Sequence, residues 1–330
     1  MVVPLDSGED FIDQNGHRME DYTLLPLIRA VQDLTDQGVT QQFDWPSVDI
    51  VTDRGRLRKL LSWATGRFSH WRIDTQLAGA NTVLLTGRPQ VTRGARGQGA
   101  SYSYSFKEAS TYPAPGLGHE PGHHRIVVYV REFCLGFEGI DPQSCQNFDG
   151  LRMVVRFEVD ACLPYDAASS IPPSNNPVVG RRSAKGKPFS GSDLNPPVVR
   201  IRRGGSSQVP QTHLIEIHAH NDLNMKWPNA YPQLYLTNTP HMYHAFQKNG
   251  VFTSVKKFTL GQSELVDIDK SEQVGFKKLR KLLGDIRTLV LKHGPMRISL
   301  VCAGNKLSAY RIPEGVSCLP KDALDLFEAA

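Results

Sequence analysis

Two short segments of the chain each place polar side chains two residues apart. Glu158 and Asp160 lie in a run rich in β-branched residues, and Glu216 and His218 lie in an alternating one. Side chains two apart on a strand point to the same side, so neighbouring strands would bring all four groups into one cleft. Carboxylate oxygens are the ligands that Mg²⁺ and Mn²⁺ prefer, and such ions activate water and neutralise charge on a phosphodiester. The pattern therefore suggests a metal-dependent hydrolytic site.

The same spacing is also typical of half-exposed strands whose outer faces carry solvated side chains. In that case Glu158, Asp160, Glu216 and His218 would contact only water. Short motifs match by accident, so spacing alone leaves both interpretations open.

Apolar periodicity predicts the elements that must position these residues. Continuous or alternating β-branched and apolar residues predict strands, at residues 48–51, 125–132, 151–162, 213–220 and, as a pair, 296–310. Apolar residues three and four apart predict helices, at residues 26–34, 54–63 and 276–290. The Asn249-Gly250 pair has the backbone freedom of a tight turn and predicts a hairpin over residues 242–258.

The overall composition limits the class of protein. Of 330 residues, 40% are hydrophobic and 22% are charged, which is ordinary for a globular chain. The formal net charge of +5 permits a polyanionic partner without requiring one. The five cysteines form no C-x-x-C pair, so a zinc ribbon is excluded and reduced thiols are expected.

The start of the chain lacks the features of a secretory signal. Asp6, Glu9 and Asp10 occupy positions where such a signal would need basic residues followed by an apolar run. No 18 apolar residues follow one another, so no membrane span is expected. These observations predict a cytoplasmic or nuclear protein, or one found in both places, that is not secreted.

One segment differs in composition from the rest of the chain. Residues 169–210 are rich in Pro, Ser, Gly and Asn and also hold several arginines and lysines. We interpret them as a flexible basic insertion within a single domain that spans residues 1–330.

Four segments, in the same order along the chain, resemble motifs of the DXO-like mRNA decapping exonucleases. Residues 54–61 (RGRLRKLL) resemble the R-G-x-L-x-K-x-L helix of that family, and residues 104–107 (YSFK) occupy the place of its G-Y-K-F-E motif. Residues 158–161 (EVDA) are similar to its E-[IV]-D-[AC] motif. Residues 233–250 resemble its Q-S-F-L…P…GF-R-D…G stretch.

The resemblance extends to the wider class of nucleases to which that family belongs. Asp160 followed by residues 216–218 looks like the D…E-x-K pattern of PD-(D/E)XK nucleases. It implies an α/β fold in which a mixed central β-sheet is flanked by helices. Residues 52–54 and 122–126 also resemble segments shared by a group of fungal proteins, which suggests a divergent member.

The resemblance also implies roles for individual residues. Asp160 and Glu216 would bind Mg²⁺ or Mn²⁺, and Glu158 would help through a bound water. Arg54 and Gln233 would hold the substrate, which in this family is the 5′ end of RNA. Glu158, Asp160, Glu216 and the residue at the E-x-K lysine position, here His218, would form the catalytic set.

Two substitutions separate this chain from the family pattern. Lys107 stands where the family has a metal-binding glutamate, and Glu108 would point about 100° away on a helix. His218 stands in place of the E-x-K lysine, and a histidine can replace a lysine only while it is protonated. Losing an anionic ligand and gaining an ammonium group both weaken a divalent site.

Three functions follow from these residues. The first is a divergent, impaired metal-dependent RNA 5′-end nuclease or decapping phosphodiesterase. The second is an inactive descendant that binds RNA or a protein partner, and Arg54, Arg56 and Arg58 with the basic residues of 181–203 would attract single-stranded RNA. The third is a metal-dependent hydrolase of small molecules that uses His218 and His220.

Two further motifs carry less weight. Residues 119–123 match H-E-x-x-H, but Pro121-Gly122 is incompatible with the helix that a zinc protease needs. The glycine-rich loop at residues 94–99 lacks the lysine and hydroxyl of a phosphate-binding loop.

Overall fold

The computed structural model of the protein describes residues 1–6, 22–36, 42–87, 102–112, 124–130, 150–164, 209–221, 224–312 and 317–328. The elements of the first half are α1 (Leu25–Asp36), β1 (Ile50–Asp53), α2 (Arg54–Ala64), β2 (Trp71–Ala78), β3 (Thr82–Thr86), α3 (Ser103–Ser110), β4 (His124–Val130), β5 (Met153–Val159) and β6 (Ala161–Cys162). Those of the second half are β7 (Leu214–His220), α4 (Trp227–Tyr235), β8 (His241–Lys248), β9 (Val251–Thr259), α5 (Val266–His293), β10 (Ile298–Ala303), β11 (Lys306–Arg311) and α6 (Lys321–Leu324).

The described strands form two mixed sheets. One has the order β11-β10-β2-β3-β1-β5-β4, and the other has the order β6-β7-β8-β9. The chain passes from the first sheet to the second at Asp160, between β5 and β6. Helices flank these sheets, which agrees with the predicted α/β class.

The sequence predicted that the strand with Glu158 and Asp160 lies beside the strand with Glu216 and His218, and this pairing is only partly present. The short strand β6 pairs antiparallel with β7, where Ala161 faces Ile215 and Cys162 faces Leu214. By contrast, β5 belongs to the larger sheet and pairs with β1 and β4. The run of residues 151–162 is therefore two strands rather than one, and its break lies at a predicted site residue.

Helix α2 is anchored at both its start and its buried face. Asp53 precedes it as the N-cap, and its side chain accepts a hydrogen bond from the backbone N–H of Arg56. Its leucines are buried against β-strands and against the 28-residue helix α5. Gly275 of α5 permits close approach, since a Cβ there would lie 2.9 Å from Thr65 Cγ2. The first turn of α2, which carries Arg54, is thus held in place.

Several other predictions can be compared with the described residues. The hairpin of β8 and β9 turns at Asn249 and Gly250, with φ values of 51° and 80°, as its sequence predicted. The predicted final strand pair is β10 and β11.

No helix in the described ranges is long and apolar enough to cross a membrane. The segments 94–99, 119–123 and nearly all of 169–210 lie outside the described residues.

Candidate functional site

Asp160 lies at the junction of the two sheets, and protein donors engage both of its carboxylate oxygens. Lys107 Nζ lies 2.5 Å from Oδ1, and the backbone N–H of Ile217 donates to Oδ2 at 2.7 Å. The Asp160 side chain is only 7% exposed. The carboxylate that was predicted to bind a metal ion is therefore paired with an ammonium group.

The position of Lys107 follows from the packing of α3. Asp6 Oδ1 accepts a hydrogen bond from the backbone N–H of Ser105 in the first turn of this helix. Phe106 is buried and stacks on Phe252 of β9, with ring centroids 4.1 Å apart. These contacts fix α3 against the smaller sheet and place the next residue, Lys107, beside Asp160.

Glu216 lies in the middle of β7 and contacts two basic side chains. Its Oε2 accepts a hydrogen bond from Arg54 Nη1 at 2.7 Å, and its Oε1 lies 3.6 Å from His218 Nε2. The Arg54 guanidinium also lies over the ring of Phe157, 5.6 Å from its centroid. The structure therefore brings Arg54, Glu216 and His218 together, as the sequence suggested.

A single ring nitrogen of His218 contacts both a carboxylate and an amide. Nε2 lies 3.1 Å from Gln233 Nε2 and also faces Glu216. Gln233 Nε2 donates a further hydrogen bond to the backbone oxygen of Asn229. An amide nitrogen only donates, so the unprotonated Nε2 of His218 can accept a hydrogen bond from Gln233. When the same Nε2 of His218 carries a proton, it can instead donate a hydrogen bond to Glu216. Gln233 thus reaches the predicted site.

The two central carboxyl groups have opposite pKa shifts. Burial alone would raise the pKa of Glu216, but the Arg54 guanidinium and then His218 outweigh it and lower that pKa from 4.5 to about 2. Burial, and then the negative charge of Glu216, raise the pKa of Asp160 despite the nearby Lys107. Glu216 is therefore ionised at neutral pH, whereas burial and Glu216 disfavour the charged form of Asp160 and Lys107 favours it.

Glu158 is half-buried near the end of β5, two residues before Asp160. In the backbone register it lies opposite Arg125 of β4. Its assistance to a metal ion through water stays a prediction.

As arranged, these side chains do not fit a divalent cation. In the part of the chain that the structure describes, no three His, Cys, Asp or Glu side chains are grouped so that they could hold one. Cationic groups already contact the carboxylates of Asp160 and Glu216. Binding by Asp160, Glu216 and Glu158 would require Lys107 to move, so the assignment of Mg²⁺ or Mn²⁺ also stays a prediction.

The two histidines suggested for a small-molecule hydrolase lie in different surroundings. His220 is exposed, and its ring lies 6.4 Å from that of His244. His218 faces Glu216 and Gln233 instead. Asp222, which could extend such a set, lies outside the described residues.

Three arginines that the same stretch of sequence predicts to attract RNA have different surroundings in the structure. Arg54 bonds Glu216, whereas Arg56 bonds Asp53 and the backbone oxygen of Gly87. Arg58 lies one turn after Arg54 and is half-buried. Within the described ranges its guanidinium makes no hydrogen bond or ion pair. Of the three, only Arg58 offers an unused guanidinium beside the site.

Arg67 is a residue that the sequence analysis missed. It follows the end of α2, and its Nη1 donates to the backbone oxygen of Pro228 at 2.6 Å in the first turn of α4. Burial, and next the charge of Arg54, lower the pKa of Arg58, and Arg67 lowers it further. The charges of Arg54 and Arg67 thus both act on Arg58, and of these two arginines Arg54 contacts Glu216. No motif or spacing in the sequence distinguishes Arg67 from the other surface arginines.

A family described as a domain of unknown function (DUF8563) matches residues 1–308 of the chain. The chain belongs to this family. A search of curated protein sequences finds no match to it.

Solved structures of Rai1 proteins share the fold of this DUF8563 chain. S. pombe Rai1 in complex with 3′-FADP has a TM-score of 0.57 and 14% identity, over 95% of this chain and 86% of that one. Candida albicans Rai1 in complex with pU5 and Mn²⁺ has a TM-score of 0.57 and 11% identity, over 91% and 79%. Scheffersomyces stipitis Rai1 in complex with (3′-NADP)+ and a calcium ion has a TM-score of 0.56 and 12% identity, over 98% and 88%. These likenesses confirm the expected fold.

Proposed function

We propose that this protein binds RNA near its 5′ end without a divalent metal ion and has little or no nuclease activity. The contact that carries the proposal is the 2.5 Å approach of Lys107 Nζ to Asp160 Oδ1. An ammonium group at this position occupies the carboxylate and supplies positive charge from the protein itself.

Electrostatics explains why the ammonium group and a metal ion exclude each other. Mg²⁺ and Ca²⁺ bind carboxylate oxygens at about 2.0–2.6 Å, so a metal ion on Asp160 would lie close to Lys107. Two unit charges 4 Å apart near a protein surface repel by about 4 kcal/mol, and a divalent ion doubles this. With Glu216 already bound to Arg54, too little negative charge is left to offset such repulsion.

The proposal of an RNA ligand rests on the guanidinium group of Arg58 and on the relatives. Arg58 has no hydrogen-bonding partner in the described ranges, and guanidinium groups pair well with phosphate oxygens. The Candida albicans relative was solved with pU5, and the S. pombe relative with 3′-FADP. We carry this ligand class to the present chain because Arg54 and Gln233 lie together at the site.

The test compares binding of 5′-phosphorylated and 5′-hydroxyl oligouridine by fluorescence anisotropy, in EDTA and in Mn²⁺. We expect a preference for the 5′-phosphate that EDTA does not change. Arg58→Gln should weaken binding and reduce its salt dependence by about one phosphate contact.

Lys59→Gln is the matched control, because it removes one charge from the adjacent, exposed position of the same helix. Its binding should stay close to that of the wild type. Binding that requires Mn²⁺, or equal losses in the two variants, would contradict the proposal.

A metal-dependent RNA nuclease is the second candidate, and the exposure of Lys107 favours it. The lysine side chain is 30% exposed, so it can leave Asp160 without disturbing the core. The carboxylate of Asp160 would then be released to a cation, with Glu158 and Glu216 as neighbouring carboxylates. Cleavage of RNA in Mg²⁺ or Mn²⁺ that is abolished by Asp160→Ala would support this candidate over the first.

A further inference from the structure

A cavity of about 540 Å³ lies over β8 and β9, next to the segment that leads into α4. Its lining combines aromatic and apolar side chains with a charged pair, and includes Trp227, Phe246, Phe258, Met225, Lys256 and Glu264. We call it the Trp227 pocket. Its size falls within the range of about 300–1,000 Å³ that is usual for sites of small organic groups.

The strand register places the Trp227 pocket on the same sheet face as the candidate site. His218 of β7 pairs with His244 of β8, and His244 pairs with Lys256 of β9. Directly paired residues carry their side chains on the same face. Because neighbouring strands lie about 4.8 Å apart, Lys256 is about 10 Å from His218 along this row. The pocket is thus about two strands away from Glu216 and His218.

The side chains of the pocket suit a planar heteroaromatic ring. Trp227 packs edge-on to Phe258, with centroids 4.9 Å apart and planes at 89°. Lys256 Nζ lies 4.7 Å above the Phe258 ring and 3.5 Å from Glu264. Phe258 is buried beneath Lys256, whereas Trp227 and Phe246 are only partly buried and are the rings that can stack on a nucleobase. The half-exposed lysine and carboxylate offer a donor and an acceptor to the edge of a base.

We propose that the Trp227 pocket binds a base of single-stranded RNA, near the 5′ end whose phosphate lies at Arg54 and Arg58. This inference rests on the proposed function and adds a second contact to it. It predicts that the affinity for RNA depends on the presence of a base at one position of the RNA chain.

The test uses 5′-phosphorylated oligouridines of six nucleotides, each with one abasic position among the first four. Wild-type affinity should fall about tenfold for one member of this series and little for the others. Binding of the intact oligonucleotide should also quench tryptophan fluorescence. Trp45 and Trp71 are buried, with 3% exposure, so only Trp63 and Trp227 are expected to respond to the RNA. Quenching that remains in Trp63→Phe would therefore come from Trp227.

Trp227→Leu should remove the difference between intact and abasic oligonucleotides while the preference for a 5′-phosphate remains. Phe246→Leu should reduce the same difference, and it serves as a second variant if Trp227→Leu does not fold. Equal wild-type affinity for all members of the series overturns the pocket but leaves the phosphate preference as support for the proposed function. Absence of RNA binding at low salt overturns both.

Discussion

The carboxylate of Asp160 accepts a hydrogen bond from the backbone N–H of Ile217 at 2.7 Å, so the residue between the two sheets is tied to the middle of β7. Asp160→Ala should therefore reduce the free energy of unfolding by about 1–3 kcal/mol, because a buried N–H and Lys107 both lose their partner. Asp160→Asn keeps a carbonyl oxygen and should cost less. Urea denaturation of the two variants checks this, and equal losses would argue against a structural role for the Ile217 bond.

Replacing Lys107 should restore affinity for a divalent ion. Lys107→Glu removes the ammonium group and adds a carboxylate beside Asp160, so Mn²⁺ binding measured by calorimetry should strengthen by about tenfold or more. Lys107→Met separates the two effects, because it removes the charge without adding a ligand, and it should give a smaller gain. No gain in either variant would show that Lys107 is not what excludes the ion.

We expect nuclease activity to depend also on position 218, where this chain has a histidine in place of the family's lysine. His218→Lys should mainly affect turnover, and the double change Lys107→Glu with His218→Lys should exceed either alone, because ligand and lysine serve different parts of the reaction. A cleavage assay on 5′-modified and 5′-monophosphate RNA measures this, with Asp160→Ala as the blank. A double variant that binds Mn²⁺ but does not cleave would indicate that the residues at positions 107 and 218 do not suffice for cleavage.

The low pKa of Glu216 predicts a specific dependence of stability on pH. Its folded pKa of about 2 lies below the ordinary 4.5, so its ionised form contributes stability at pH values above about 4.5. That contribution is lost as pH falls toward 2. The loss of stability in Glu216→Gln should therefore be largest near pH 7 and shrink by pH 3. A difference that stays constant over this range would contradict the assigned pairing with Arg54.

Two glycines of α5 should respond in opposite ways to the same substitution. A Cβ at Gly275 would lie 2.9 Å from Thr65 Cγ2 and 3.3 Å from Leu61 Cδ1, whereas one at Gly284 meets nothing within 4 Å. Gly284→Ala should stabilise the helix by up to about 1 kcal/mol. Gly275→Ala should destabilise the protein, because α2 must shift. Thermal unfolding of both variants checks this, and a stabilising Gly275→Ala would show that the helices repack easily.

Local sequence patterns predicted most elements of the fold, whereas long-range contacts needed the structure. The Asn249-Gly250 turn is set by residues next to each other, so the hairpin could be predicted. The change of sheet at Asp160 could not, because residues 151–162 contain no Gly or Pro and stay apolar after it, at Ala161 and Cys162. The order of the motifs, rather than any single motif, indicated the fold.

The candidate site could likewise be predicted only where its residues are close in sequence or lie in a family motif. Side chains two apart on β7 placed Glu216 beside His218, and the family resemblance added Arg54 and Gln233. The pairing of Lys107 with Asp160 joins residues 53 positions apart and depends on how α3 packs. The bonds of Arg56 to Asp53 and to Gly87 likewise follow from which face of α2 meets β1 and Gly87.

Arg67 connects the end of α2 to the first turn of α4 through the backbone oxygen of Pro228. The first helix carries Arg54 and Arg58, and the second carries Trp227 and Gln233. Because one side chain joins both helices, it limits how far Arg58 and Trp227 can move apart. If RNA binds as we propose, its first few nucleotides must span this distance, and the protein would then set the number of nucleotides between the bound phosphate and the bound base.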